Sequence, residues 1–207
     1  MGIAERKERQ KVELRDRILK AAREIVLKDG YDALTMRKIA QKIEYAPGTI
    51  YLHFASRDEI ALQLVQSGFS ELLTFLAPVT AITDPLERIE AIGRGYAEFG
   101  LSHPETYRLI FMEDPKFTDE VLTMQLAPRG EPGSPGDQAF TLVFQTCDEL
   151  IRKGIFKPID PELCTYILWS TMHGIVSLQI ACAKAAYPDP KKLTEATLAM
   201  TRHGLMA

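Results

Sequence analysis

Apolar residues in this chain recur three and four positions apart almost throughout, and no convincing stretch alternates with period two. That spacing gathers side chains on one face of an α-helix rather than on one side of a strand, so an all-α fold is expected. Leu14, Ile18, Ala21, Ala22 and Ile25 open the pattern. Asp29-Gly30 should close the first helix, because glycine most easily takes the left-handed conformation that ends one. Thr35 is suited to cap a short second helix, MRKIAQKI, whose Met36, Ile39, Ala40 and Ile43 share a face. After Glu44-Tyr45-Ala46, Pro47 occupies the first turn of a third helix, where proline is tolerated, with Ile50 and Phe54 as its narrow buried stripe. Ser56 caps a fourth helix whose first turn holds Asp58 and Glu59, where the helix dipole favours negative charge. Ile60, Leu64, Phe69, Leu72, Leu73 and Leu76 carry it to Pro78.

Beyond Pro78 the periodic segments lengthen. Helices are expected over 85–102 and 104–113, with His103-Pro104 as the break, and a weaker one over 118–126. APRGEPGSPGD, residues 127–137, reads as a mobile Pro and Gly loop. Val143, Phe144, Cys147, Leu150 and Ile151 form one face of a helix that ends at Gly154, and helices over 161–186 and 190–203 complete the chain. This divides the sequence into a small N-terminal module, residues 1–57, and a larger helical domain, residues 58–207.

Charge divides at the same place. The whole chain carries −3, but residues 1–57 hold thirteen Lys and Arg against eight Asp and Glu, and the rest hold twelve against twenty. A basic module joined to an acidic one suggests a nucleic-acid partner for the first; chance clustering on a solvated face is the alternative. No apolar run approaches the roughly 18 residues that span a bilayer, and the N-terminus lacks the apolar core of a signal peptide, so no membrane partner and a cytoplasmic location are expected. Cys147, Cys164 and Cys182 have no metal or redox spacing and read as reduced, buried thiols. No P-loop, dinucleotide fingerprint or nucleophile elbow appears, and His53, His103, His173 and His203 are far apart in the chain. Neither an enzyme, a cofactor nor a metal is expected.

Pro47 to His53, PGTIYLH, is too polar for a core helix and too poorly charged for a solvated one. Two short helices joined by a three-residue turn, the second exposing polar and aromatic groups, describe a helix-turn-helix. Ile39, Ala40, Ile43, Ile50 and Phe54 would share a core with the first helix. Pro47 and Gly48 present little bulk to a major groove, and the Thr49 methyl and hydroxyl suit a thymine methyl or a polar edge. Tyr51 and His53 can donate to phosphates, and Arg57 can neutralise one beside the free N–H groups of the fourth helix.

These residues resemble the tetracycline-repressor (TetR) type of bacterial transcriptional regulators. The stretch LTMRKIAQKI-EYA-PGTIYLHFASRDEIA carries the likeness over about 45 residues, Ile18 to Leu62, with Gly30, Thr35, Ala40, Tyr51, Phe54 and Arg57 at the family's spacing. Arg57 stands where the family usually has Lys, and Glu44-Tyr45 stands where it usually has Gly-Val. Glu44 is therefore expected to adopt a strained left-handed conformation. Tyr45 must either open the packing of a Val site or turn its ring outward toward the DNA backbone. The resemblance implies that Thr35 caps the second helix near a phosphate and that Arg37 is a base contact. It also places Pro47, Gly48, Thr49 and Leu52 at base edges, with Tyr51, His53 and Arg57 on the backbone. Arg6, Lys7, Arg9 and Lys11 would form an arm reaching phosphates or the minor groove, or a solvated tail.

For the larger domain the resemblance implies dimerisation and a small-molecule pocket, and WSTMHGIVSL (169–178) resembles the Trp, His and Gly motif of one C-terminal subclass. The helix over 161–186 is apolar nearly all round, with Trp169, Met172, His173, Val176 and Ile180 on one side and Leu163, Ile167, Gly174, Leu178 and Ala181 on another. Such a helix is buried on both sides, by its own domain and a partner subunit or by a monomeric core, and Gly174 and Ser177 would permit close approach. Tyr96, Phe99, Tyr107, Phe111, Phe144 and Trp169 line a ligand cavity or serve as plain core, and His173 reads as a hydrogen-bonded core histidine. The implied function is a ligand-responsive regulator, most often a repressor, that binds a palindromic duplex operator as a homodimer. An apolar or amphipathic effector would release it, with the fourth helix as the lever. The competing reading is a helical protein-interaction module that binds no DNA.

Overall fold

Nine α-helices and no strand are found among the described residues, 2–112, 133–182 and 188–207, of the computed structural model. They are α1 (Ile3–Asp29), α2 (Met36–Ile43), α3 (Pro47–Tyr51), α4 (Arg57–Leu76), α5 (Pro85–Ser102), α6 (Pro104–Phe111), α7 (Pro135–Arg152), α8 (Pro161–Ala181) and α9 (Pro190–Leu205). The chain clusters into two compact units, one from Met1–Gly68 with a segment starting at Arg108, the other from Phe69–Tyr107 with the remainder. Helix α4 contributes its first half to one and its second half to the other.

Most helix starts follow from local chemistry. Thr35 Oγ1 accepts from Lys38 N at 3.1 Å, Asp84 Oδ1 from Leu86 N at 2.7 Å, Asp160 Oδ1 from Glu162 N at 2.8 Å, and Asp189 Oδ1 from Lys192 N at 2.9 Å. Each satisfies an N–H that the helix itself cannot, an effect of about 1 kcal/mol per cap. Six of these helices begin with proline, where its missing donor costs nothing. Gly30 ends α1 at φ 80°, as expected, though with ψ at 168° it is extended rather than left-handed helical.

Several boundaries differ from the sequence reading, among them the end of α6 at Phe111 rather than 113. Helix α1 begins at Ile3, so the basic residues Arg6, Lys7, Arg9 and Lys11 are helical rather than a loose arm. Helix α7 begins at Pro135, because Ser134 Oγ accepts from Asp137 N at 3.2 Å and so converts the end of the expected 127–137 loop into a first turn. Helix α8 ends at Ala181, since Cys182 leaves helical geometry at φ −118°, ψ 41°. Helix α9 runs on to Leu205. The expected 118–126 helix and the rest of the 127–137 loop up to residue 132 lie outside the described residues. Cys147 and Cys164 are buried as expected, but Cys182 is exposed.

In the N-terminal unit α1 packs on α2, and α2 on α3. Ile18, Leu34, Ile39 and Ile50 are fully buried and Phe54 nearly so. Each such side chain contributes about 1.5–3 kcal/mol. The segment Arg57–Ala81 corrects the expectation that nothing resembles a membrane span, for it is long and apolar enough to cross one by length and composition, at mean hydropathy 1.3. Its Ile60, Ala61, Leu64, Val65, Phe69, Leu72 and Leu76 are buried within the fold, as in a core helix. In the second unit α5 and α8 pack together, α7 lies against both, and α9 packs on α5 and α8. An antiparallel bridge, Phe156 with Met206, pins the C-terminus, helped by Lys157 N–H donating to Leu205 O at 2.8 Å.

The α5–α8 approach is close at Gly100, where a Cβ would collide with Val176 Cγ1 and lie 2.8 Å from Tyr107 Cδ2. Gly100→Ala is therefore expected to lower the unfolding free energy by about 1–3 kcal/mol in urea titrations.

Candidate functional site

The turn between α2 and α3 sets the geometry of the exposed surface. Glu44 does adopt the left-handed conformation, at φ 61° and ψ 43°, and is the one non-glycine with positive φ among the described residues. Its N–H and that of Tyr45 return to Ala40 and Gln41 carbonyls, with Tyr45 N–H to Ala40 O at 2.9 Å. Of the two options for Tyr45, the ring lies outward, 40% exposed, and the Arg17 guanidinium sits 5.2 Å from its centroid. Arg17 Nη2 also donates to Ile43 O at 3.2 Å, placing a cation on the C-terminal carbonyl of α2. Two residues earlier on α1, Arg15 repeats the arrangement for α3. Its Nη1 donates to His53 O at 2.8 Å, its Nη2 to Gln63 Oε1 at 3.2 Å, and its guanidinium lies 4.0 Å over the Phe54 ring. A third pair, Arg57 4.8 Å over Tyr31, fixes the start of α4.

Held this way, α3 presents its polar side outward. Pro47 and Gly48 are exposed, and a Cβ on Gly48 would meet nothing within 4 Å, so a partner backbone can come close. Tyr51 is 58% and Leu52 79% exposed, values that no buried role explains. Thr49 and His53 are half-buried and Arg37 is exposed on α2. Thr35, Arg37, Tyr51 and Arg57 join Met36, Ala55 and Ser56 around an open cleft of about 390 Å³. Pro47, Gly48, Thr49, Leu52 and His53 lie outside that cleft, along the neighbouring face of α3. The cleft sits where the N-termini of α2 and α4 meet. Ser56 Oγ accepts from Glu59 N at 3.1 Å, while Glu59 Oε2 accepts from Ala55 N at 2.6 Å. Two guanidinium groups, a phenol, two hydroxyls and two helix N-termini suit a phosphate diester.

Sequence reasoning assigned no site role to Arg15, Arg17 or Ser56. For Ser56 the signal was present, since Ser-x-x-Glu at 56–59 is the capping-box spacing. For the arginines there was none, because the carbonyls they reach are 26 and 38 residues away. The His53 imidazole is shifted down, first by partial burial and then by the charges of Lys11 and Arg15.

In the second unit four of the expected pocket residues form a hydrogen-bonded chain. Trp169 Nε1 donates to Tyr96 Oη at 3.1 Å, Tyr96 and Tyr107 hydroxyls are 2.9 Å apart, and Tyr107 Oη lies 2.6 Å from His173 Nδ1. Trp169 can only donate, so Tyr96 Oη accepts from it, and a neutral His173 imidazole can accept at Nδ1 from the Tyr107 hydroxyl. Burial favours that state, pushing the His173 pKa down and both tyrosine pKa values up. Phe99 is fully buried and stacks on His103 at a 5.8 Å centroid distance, on the α5–α6 side of the chain. Phe111 and Phe144 are half-buried. Glu71 of α4 is tied to the same corner, by His103 Nε2 at 3.3 Å and by Thr106 Oγ1 at 3.1 Å. Cys147 and Cys164 share a hydrogen bond across α7 and α8, which, with burial, pushes the Cys147 thiol up.

Helix α8 buries one side and leaves the other open. Cys164, Thr165, Met172, Ile175, Val176 and Ile180 are buried, whereas Leu163, Tyr166 and Leu178 are 52%, 47% and 53% exposed. Ala181 is also exposed, Ile167, Gly174 and Ser177 are half-buried, and a Cβ on Gly174 would meet nothing within 4 Å. The expected interface residues thus form one apolar stripe along the helix.

A helix-turn-helix with an exposed reading helix, followed in the chain by a bundle of longer helices, defines the class of helical DNA-binding regulators. Comparisons narrow it. Residues 18–64 match the family described as "Bacterial regulatory proteins, tetR family", and residues 89–201, more than half of the chain, match "Tetracyclin repressor-like, C-terminal domain". The chain belongs to the TetR family. It is 32% identical over 45% of its length to the HTH-type transcriptional regulator TcmR of Streptomyces glaucescens, covering 40% of that protein. It is 30% identical over 49% of its length to the HTH-type transcriptional activator FasR of Mycolicibacterium smegmatis, covering 47%. The matched stretch therefore spans less than half of each of these relatives. A structure of a protein with unknown function from Rhodococcus sp. RHA1 superposes with TM-score 0.71 at 23% identity, over 94% of this chain and 96% of that one, and shows the same fold.

The buried imidazole makes a pH prediction. His173 is depressed below 6.5 in the fold, so the stability it lends is complete above that pH and is lost as pH falls through the lower folded value. Urea midpoints measured from pH 8 to 5 should fall on the acid side, and His173→Gln should remove part of that fall.

Proposed function

We propose that this protein is a ligand-responsive transcriptional regulator, a cytoplasmic repressor that binds a palindromic duplex operator as a homodimer. The single observation that carries this reading is the exposed face of α3 beside the cleft formed by Thr35, Arg37, Tyr51, Ser56 and Arg57. In this reading Pro47, Gly48, Thr49, Leu52 and Arg37 face base edges. Thr35, Tyr51, His53 and Arg57 hold the backbone and fix the register. The exposed stripe Leu163, Ile167, Gly174, Ser177, Leu178 and Ala181 pairs with its copy across a two-fold axis, which supplies the second buried side that so apolar a helix needs. Two reading helices then engage successive major grooves about 34 Å apart.

The effector is a small apolar or amphipathic molecule that meets the Tyr96, Tyr107, Trp169 and His173 chain, with Phe99 beside Tyr107 as apolar surroundings. Its differential affinity for the released state shifts the population away from the operator-bound one. Helix α4 is the element through which this acts, because Glu71 in its second half is held at the α5–α6 corner next to Tyr107. The reading involves no catalysis, cofactor or metal.

Selection of bound sequences from a random duplex library by the full chain at near-physiological salt tests the reading. A two-fold symmetric site should be enriched, and Thr49→Ala, Tyr51→Ala should lose it. No enrichment by a folded dimer would favour the protein-interaction alternative, whose apolar contacts are far less sensitive to salt than several phosphate contacts. For the dimer, Leu178→Arg is expected to halve the mass seen in sedimentation and to weaken operator binding at least tenfold; an unchanged mass would move the interface elsewhere.

A further inference from the structure

The side of α1 that faces the core does not end where the core does. Leu14 is half-buried, and Ile18, Ala21, Ala22 and Ile25 are buried, along one side of the helix. At 100° per residue Lys7, Lys11 and Arg15 stand one turn apart on that same side, within about 80° of one another. Yet every residue from 4 to 13 is exposed, so this lysine-bearing stretch of α1 packs on nothing among the described residues. An apolar side that turns basic as it leaves its support is addressed to something outside the chain.

Its direction is fixed. Arg15 is bound to His53 O, to Gln63 and to the Phe54 ring, so the register of the stripe against the C-terminal end of α3 is set by three contacts. The charge is also unspent. Lys38, Lys42 and Arg9 have carboxylate partners, whereas Lys7 and Lys11 form no ion pair among the described residues. Partial burial, and after it the charges of Lys11 and Arg15, hold the His53 pKa down, so both cations lie close enough to this imidazole for their fields to reach it.

We infer that Lys7, Lys11 and His53 form a second phosphate-binding ridge, separate from the cleft at Thr35 and Arg57, which grips the DNA backbone beyond the C-terminal end of the reading helix. The inference rests on the DNA-binding reading given above. It replaces a flexible groove-reading arm with a rigid, sequence-neutral contact, because helical lysines spaced one turn apart track a backbone and cannot enter a minor groove as an extended segment would.

Lys7→Gln, Lys11→Gln keeps the helix and removes two charges. Affinity is measured by fluorescence anisotropy on a duplex carrying the enriched site and on a scrambled duplex, from 50 to 300 mM salt. The variant should show a slope of log affinity against log salt shallower by about 1.8 per bound protomer, with weaker binding to both duplexes and the enriched sequence unchanged. Lys191→Gln, Lys192→Gln on α9 removes the same charge elsewhere and should leave the slope alone. An unchanged slope in the first variant, or an equal loss in both, overturns the ridge while leaving the DNA-binding reading intact. A changed preference at flanking bases overturns it in favour of groove reading. A parent that binds neither duplex overturns both readings at once.

Discussion

The N-terminal unit depends on α1 arginines that close the ends of helices too short to stand alone. Helix α3 has five residues and α2 eight, far below the length at which an isolated helix survives in water. Arg17 takes the last carbonyl of α2 and Arg15 the carbonyl of His53, just past the end of α3. Each places a full charge where the helix dipole is negative, and each rests on an aromatic ring, Tyr45 or Phe54. A hydrogen bond to a charged group contributes about 1.5–3 kcal/mol, enough to offset the left-handed residue at Glu44. The clasp also explains how Tyr45 fits a turn that usually holds valine. Its ring does not fill the valine space, but lies outside it as the platform for Arg17.

Rigidity in that unit has a functional consequence. Tyr51, Leu52, Pro47 and Gly48 stay exposed because Ile50 and Phe54, on the other side of the same turns, are buried under α1 and α2. The surface that is free for a partner is thus the remainder left by the core. The cleft beside it arises where two capped helix starts converge.

The second unit is organised around a polar chain in an apolar setting. A tryptophan, two tyrosines and a histidine with consistent donor and acceptor polarity satisfy one another where water is scarce. Burial favours neutral His173, whose Nδ1 can then accept from the Tyr107 hydroxyl. Helix α8 carries this chain on one side and an exposed apolar stripe on the other, which is why its composition is apolar nearly all round.

Much of this was legible in the sequence. Period and capping chemistry act locally, so Thr35, Pro47 and Ser56 marked helix starts that the structure reproduces. The left-handed Glu44 followed from its place in the turn, and the family followed from the spacing of Gly30, Thr35, Tyr51, Phe54 and Arg57. The candidate contact residues were also nameable, because exposed polar groups opposite a buried stripe follow from the helical repeat. What the sequence could not supply depended on partners distant along the chain. The outward ring of Tyr45 was set by Arg17, and the helical state of Lys7 and Lys11 by continuation of α1 without a break. The exposure of Cys182 was set by the end of α8, and the union of Tyr96 and Tyr107 with Trp169 and His173 by helices 60 to 80 residues apart. Backbone propensity and periodicity are properties of a few neighbouring residues and can be read in one dimension. The direction a side chain takes is decided by whichever carbonyl, ring or charge the folded chain brings beside it, and only the tertiary structure holds that information.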